Sequence, residues 1–153
     1  MKHRKLMSLY IILLALVIAS MVGIKRSNGS VIRDYADVKA EGIIRIVTDY
    51  NSIDYFVSDD SIEAFQYELC RAISDLSGFE VQIMPETSLN ECFKGLNNRR
   101  YDIIARNIPI TSKNKDKYNF TQLQSWVLRK ESVVLTDSLN RWLQVLKDNG
   151  VYP

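Results

Sequence analysis

The chain of 153 residues is long enough for one domain and too short for two of ordinary size. Its composition, 46% hydrophobic and 25% charged with 6 Gly and 3 Pro, excludes a disordered or low-complexity chain. The formal charge of +2 sits at the front: Lys2, Arg4, Lys5, Lys25 and Arg26 face no acid in the first 26 residues, and the rest has 15 basic against 18 acidic residues, no electrostatic footprint for nucleic acid.

Lys2, Arg4 and Lys5 precede an uncharged run of 19 residues, Leu6 to Ile24. As a helix it measures about 28 Å, close to the hydrocarbon thickness of a bilayer. Two readings stay open: a signal peptide cut after Ala19, or a retained anchor. The length of the run favours the anchor. The excess of positive charge before the run leaves the N-terminus in the cytoplasm and the rest outside. Ser27-Asn28-Gly29-Ser30 reads as a linker.

Val31 to Glu41 reads as a short helix ending at Gly42, and Ile43 to Thr48 as a buried strand. Ile62, Phe65, Leu69, Ile73 and Leu76 recur at helical spacing, with Ser61 placed to cap and Gly78 to end the helix. Phe79 to Met84 alternates as a second strand stopped by Pro85. Ser88 caps a second helix whose stripe is Leu89, Phe93 or Cys92, and Leu96, ending at Asn97-Asn98. Tyr101 to Ala105 is a third strand, opened by Asp102 as a turn or capping acid. The order β-α-β-α-β predicts a parallel sheet with helices on its faces. The stretch after Thr111 is polar until Phe120. Trp126 to Lys130 and Ser132 to Thr136 read as two adjacent strands or one bent strand. Asp137 or Ser138 caps a last helix carrying Leu139, Trp142, Leu143 and Leu146. Arg99-Arg100 and Lys113, Lys115 and Lys117 read as solvated surface.

Four stretches carry a resemblance: GIIRIVTDYNSIDYF (42–56), EAFQYELCRAISDLSGFEVQIM (63–84), LNECFKGLNNRRYDIIARNIPITSKNKDKYNFT (89–121) and SLNRWLQVLKDNGVY (138–152). Together they resemble the family 3 extracellular, periplasmic solute-binding proteins, and most closely the binding-protein-like domain of membrane-bound lytic murein transglycosylases. The resemblance implies an α/β fold of the periplasmic-binding-protein-like type 2: an open, mostly parallel sheet with helices on both faces, preceded by the transmembrane or signal helix. It implies a division into an anchor or signal (1–26), a linker and short helix (27–41) and a single lobe (42–153).

Family members place a second lobe between the strand after "F-T" and the closing helix. Here Phe120-Thr121 is followed almost at once by Trp126, so one lobe is expected. Amino-acid binders of the family usually carry an Arg three residues after the second Thr of "T-x-T", a planar fork for a ligand carboxylate. Here Asn114 stands at that position and Pro109 replaces the first Thr. The family strand order, second-first-third, puts the two helices on opposite faces, which keeps Cys70 and Cys92 too far apart to bridge. Glu68 falls on a recurring structural acid.

A surviving half-site is expected where the carboxyl ends of the strands meet the loops. The candidates are Tyr50, Asn51 and Tyr55 after the first strand and Arg106, Asn107, Ile108 and Thr111 after the third. Catalysis is not expected: the sole histidine is His3, and the chain holds no G-x-S-x-G, P-loop or H-E-x-x-H. The same survey finds no cofactor or metal motif. The expected function is weak binding of a small polar ligand, an amino acid or a muropeptide-like fragment, by a module anchored outside the cytoplasmic membrane through residues 6–24, in the periplasm or at the cell surface. The alternatives are a protein-interaction module or homo-dimer using the face left by the missing lobe, or a degenerate remnant.

Overall fold

Apolar β-branched residues cluster in short runs that the chain buries as strands, and their register shows how. A computed structural model describes residues 2–27, 32–49 and 62–152. The described strands are β1 (Ile43–Thr48), β2 (Glu80–Pro85), β3 (Ile103–Ile104), β4 (Tyr118–Phe120) and β5 (Val127–Arg129), in the sheet order β2-β1-β3-β5-β4. β1 pairs in parallel with β2 and β3, while β5 runs antiparallel to both β3 and β4. Four strands therefore point one way and β5 alone is reversed. The helices are α1 (Lys2–Ser27), α2 (Tyr35–Glu41), α3 (Ile62–Ser77), α4 (Leu89–Asn97), α5 (Ser112–Lys115) and α6 (Val133–Asp148).

The alternation of side chains across a strand assigns the core. Ile46, Ile103 and Leu128 are register partners and lie in one fully buried cluster, with Leu69 and Ile73 of α3 and Leu139 and Leu143 of α6. Their neighbours Val47, Ile104 and Val127 lie in a second cluster with Cys92 and Leu96 of α4. Right-handed crossovers put α3 and α4 on opposite faces. Cys70 and Cys92 follow their helices, each a free, buried thiol in a different cluster. Burial pushes the Cys70 thiol far above its ordinary value, so it behaves as a small hydrophobe.

α4 departs from its expected stripe. Leu89 is 39% exposed, while Cys92 and Leu96 of the stripe are buried as expected, with Gly95 between them. Gly95 is required because the Tyr101 ring lies on it: a Cβ there would sit 2.3 Å from Cε2. The helix gives up about 1 kcal/mol of intrinsic propensity for that close approach.

Three expectations about local structure are corrected. Ser132 to Thr136 is not a strand: α6 already begins at Val133. Its N-cap Ser132 makes no side-chain cap bond. The carboxylate of Asp34 accepts from the backbone N–H of Val134 (3.0 Å) and Leu135 (2.7 Å) instead, while also accepting from Tyr35 N–H at the start of α2. One acid so caps two helices. Helix α2 starts at Tyr35 rather than Val31, which lies outside the described residues, as does Ser61.

Asp102 is the third correction. It is fully buried, not a turn acid. Arg33 Nε donates to its Oδ1 (2.6 Å), Arg129 Nη2 to the same oxygen (3.3 Å) and the backbone N–H of Arg45 to Oδ2 (3.0 Å). Arg33 forks onto Glu41 (2.7 and 3.0 Å), and Arg129 Nη1 reaches the carbonyls of Leu96 and Tyr101. Burial pulls the Arg33 guanidinium down, but the bonds and charges of Asp102 and Glu41 outweigh it and hold its proton more tightly than usual. At Arg129 burial prevails over the attraction of Asp102, and its affinity for the proton falls. This network ties the segment before α2 to the amino end of β3 and to β5.

The missing second lobe has a physical counterpart. Thr121 and Trp126 close a hairpin: Thr121 N–H donates to Trp126 O (2.9 Å), and Trp126 N–H to Thr121 Oγ1 (2.9 Å). The four residues between them turn tightly, with Gln124 and Ser125 at φ 68° and 52°. Trp126 Nε1 anchors the hairpin to Gln66 Oε1 at 2.8 Å.

The chain divides into two compact units, Met1–Ile32 and Arg33–Pro153. In the first, α1 exposes its apolar side chains from Leu6 through Ile18. His3–Ser20 is long and apolar enough to cross a membrane.

Candidate functional site

The carboxyl ends of β1, β2 and β3 lie side by side because the three are parallel. Thr48 Oγ1 donates to Ala105 O (3.0 Å) and Glu86 N–H to Thr48 O (2.9 Å), so the three ends are clamped together. From this platform the chain emits Asp49, Thr87 and Arg106. One guanidinium joins them: Arg106 Nη2 donates to Asp49 Oδ2 at 3.0 Å and Nη1 to Thr87 O at 3.3 Å. Nη1 also lies 3.8 Å from Cys92 Sγ. Burial raises the Cys92 thiol and Arg106 partly opposes the rise, so the thiol stays protonated near neutrality.

Arg106 is the sequence-selected residue that this platform presents best. The Arg106 and Asp49 side chains are 21% and 30% exposed, sheltered yet reachable. Among the described residues, Arg106 Nε takes no partner. Asn107 is exposed beside it, whereas Ile108 is only 5% exposed and packs into the second core cluster. Thr111 caps α5, its Oγ1 accepting from Asn114 N–H at 3.3 Å. Asn114 returns the bond, accepting from Thr111 N–H (2.7 Å) and donating Nδ2 to Pro109 O (3.0 Å). The residue standing where the family places its Arg is thus fully used in holding its own loop. Tyr50, Asn51 and Tyr55 lie outside the described residues. Glu68 is exposed on α3. Asp49 was missed: a single acid after a strand carries no signal until the loop bearing Arg106 folds against it. Among the described residues no cluster of metal-ligating side chains occurs.

An open, mixed α/β lobe with a polar platform at its parallel strand ends defines the class: one lobe of a binding-protein fold. The chain belongs to the bacterial extracellular solute-binding proteins, family 3, whose pattern matches residues 43–153. It resembles membrane-bound lytic murein transglycosylase F of Haemophilus influenzae (strain PittGG), 30% identical over 84 residues, 55% of this chain and 17% of the relative. The same enzyme of Aeromonas salmonicida (strain A449) is 30% identical over 83 residues, covering 54% and 17%. The chain spans less than a fifth of the length of these relatives. Among solved structures it superposes on the arginine-bound form of domain 1 from TmArgBP with a TM-score of 0.59 at 22% identity, covering 72% of this chain and 98% of that domain. A point mutant of that domain gives 0.60, covering 74% and 98% at 22% identity. These neighbours share the fold of the lobe, and the order β2-β1-β3 found in this chain is the one expected from sequence.

Proposed function

We propose that this chain is a non-catalytic, one-lobed binding module, held outside the cytoplasmic membrane by α1, that takes a small polar, carboxylate-bearing ligand at the strand ends of β1 and β3. In this reading residues 1–26 are the anchor, 27–41 the connection and 42–153 the lobe. The carrying observation is the Arg106–Asp49 pair: a planar donor fork, half-sheltered, already occupied by a carboxylate that a ligand carboxylate can replace. Tyr50, Asn51, Tyr55 and Thr111 would frame the ligand, with Ile108 as the apolar floor. Domain 1 of TmArgBP, a single lobe, is described in an arginine-bound form and is a precedent for ligand on half of a cleft. An open half-site buries less of its ligand than a closed cleft, so binding is weak.

The test is thermal unfolding of the full chain in neutral detergent with a panel of amino acids and muropeptides. A ligand that binds only the folded lobe stabilises it by about 2.7 kcal/mol at a hundred times its dissociation constant. One compound is expected to raise the midpoint, and Arg106→Ala to abolish the rise. A cooperative transition that no compound moves sinks ligand binding in favour of a protein partner; loss of any cooperative transition leaves a remnant.

A further inference from the structure

The strand β4 forms one edge of the sheet, and its hydrogen-bond phase is fixed by its last bond to β5. Thr121 N–H donates to Trp126 O, so this directly opposed pair is a hydrogen-bonded one. Such pairs alternate along an antiparallel ladder. Asn119 opposite Leu128 is the next one, and the peptide groups of Tyr118 and Phe120 point away from β5. Two N–H donors and two carbonyl acceptors therefore face outward, and among the described residues none has a partner. They open into a groove of about 410 Å³, walled by α5 on one side and the start of α6 on the other. Ile110 and Val133, 52% and 54% exposed, stand on its two rims. Its lining is balanced, Lys115 and Lys130 against Asp116 and Asp137, and the excess positive charge comes from exposed Lys113 and Lys117, two residues before Lys115 and one before Tyr118 in the chain.

We infer that this groove binds an extended, net acidic peptide, which adds to β4 as a sixth strand. The outward peptide groups supply the main-chain ladder, and side chains alternating across the added strand meet Ile110 on one face and Val133 on the other. The excess lysine charge selects acidic flanks. A second copy of this chain fits less well. It would bring two positive rims together, and a three-residue edge offers far less than the roughly 1,000 Å² of a specific protein interface. The groove volume instead falls in the range of about 300–1,000 Å³ typical of small-ligand sites. Neither Arg106 nor Asp49 lines this groove, and β5 lies between β4 and the strand that Arg106 follows.

The probe is a panel of blocked pentapeptides, Glu-X-X-X-Glu, with X drawn from Val, Ile, Thr, Tyr and Phe. They are added to the 15N-labelled full chain in neutral detergent micelles, and amide exchange is followed by NMR. At least one member is expected to bind with a dissociation constant below roughly 1 mM and to slow exchange of the Tyr118 and Phe120 amides about tenfold. The double variant Lys115→Glu, Lys130→Glu, both exposed positions, is expected to weaken binding at least tenfold, and N-methylation of alternate peptide amides to abolish it. The inference falls if no panel member protects those two amides. It falls equally if binding survives both charge reversal and N-methylation. Protection that appears without peptide and grows with protein concentration, alongside a doubled mass, replaces the peptide with a second copy.

Discussion

The two ends of the sheet each hold an arginine–aspartate pair, and they differ in everything but the residue types. At the amino end, Asp102 is sealed from solvent and shared by Arg33 and Arg129, whose side chains are 8% and 4% exposed. At the carboxyl end, Asp49 and Arg106 meet at 3.0 Å with both side chains partly open to water. Burial sets the consequence. A buried charge is tied to its partners because leaving either unpaired is expensive, whereas a half-exposed pair exchanges partners at little cost. The amino end can only hold the fold together. The carboxyl end, where parallel strands stop and loops begin, is free to accept something else.

The largest expected effect breaks the amino end. Asp102→Asn keeps the shape but removes the one fully buried counter-charge that Arg33 and Arg129 share, leaving them only the half-exposed carboxylates of Glu41 and Glu131. It is expected to cost about 3–5 kcal/mol, the scale for removing one partner of a buried ion pair. Urea unfolding of residues 27–153 measures it. A loss below about 1 kcal/mol would mean that water or Glu41 and Glu131 compensate, and the contrast between the ends would collapse.

Asp34→Ala tests the other contact that closes this end. It removes the cap of α2 and, among the described residues, the side-chain acceptors at the first turn of α6, for an expected loss of about 1–2 kcal/mol. The same residue explains why the sequence was misread. Ser132-Val133-Val134-Leu135-Thr136 is a β-branched run that locally favours a strand, and the acceptor that makes it a helix lies a hundred positions earlier. Asp102 was unreadable for a like reason: its partners are Arg33, 69 residues before it, and Arg129, 27 after. Strand β4 carried no periodic signal within SKNKDKYN, being three residues long. What was legible depends on local pattern and chain handedness: the β1, α3, β2, α4 succession, the strand order around β1, the placement of Cys70 and Cys92 on opposite faces. At the candidate site, Arg106 was legible as a charge ending an apolar run, and Asp49 was not.

At the carboxyl end, Arg106→Ala is expected to change stability by less than about 1 kcal/mol, because the pair is solvent-screened. Its effect should appear in binding. Asp49→Asn sharpens the point: it removes the internal carboxylate that competes for the guanidinium, so a carboxylate ligand should bind more tightly than to the parent, by calorimetric titration. Equal affinity in parent and Asp49→Asn chains would show that the ligand does not use Arg106.

The smallest effect lies on the rim of the amino-end network and separates its buried centre from its exposed edge. The hydrogen bonds from Arg33 hold the Glu41 carboxyl below its ordinary value of 4.5. A carboxyl whose folded value is depressed binds its proton more readily in the unfolded chain. Its contribution is therefore whole above the ordinary carboxyl range and fades as pH falls through the depressed value. Glu41 is 41% exposed, so water screens most of the gain and the contribution stays under about 1 kcal/mol. Thermal midpoints of parent and Glu41→Gln chains should differ slightly at neutral pH and converge on acidification from about pH 5 downward. A gap that persists at low pH would assign the role of Glu41 to packing rather than charge.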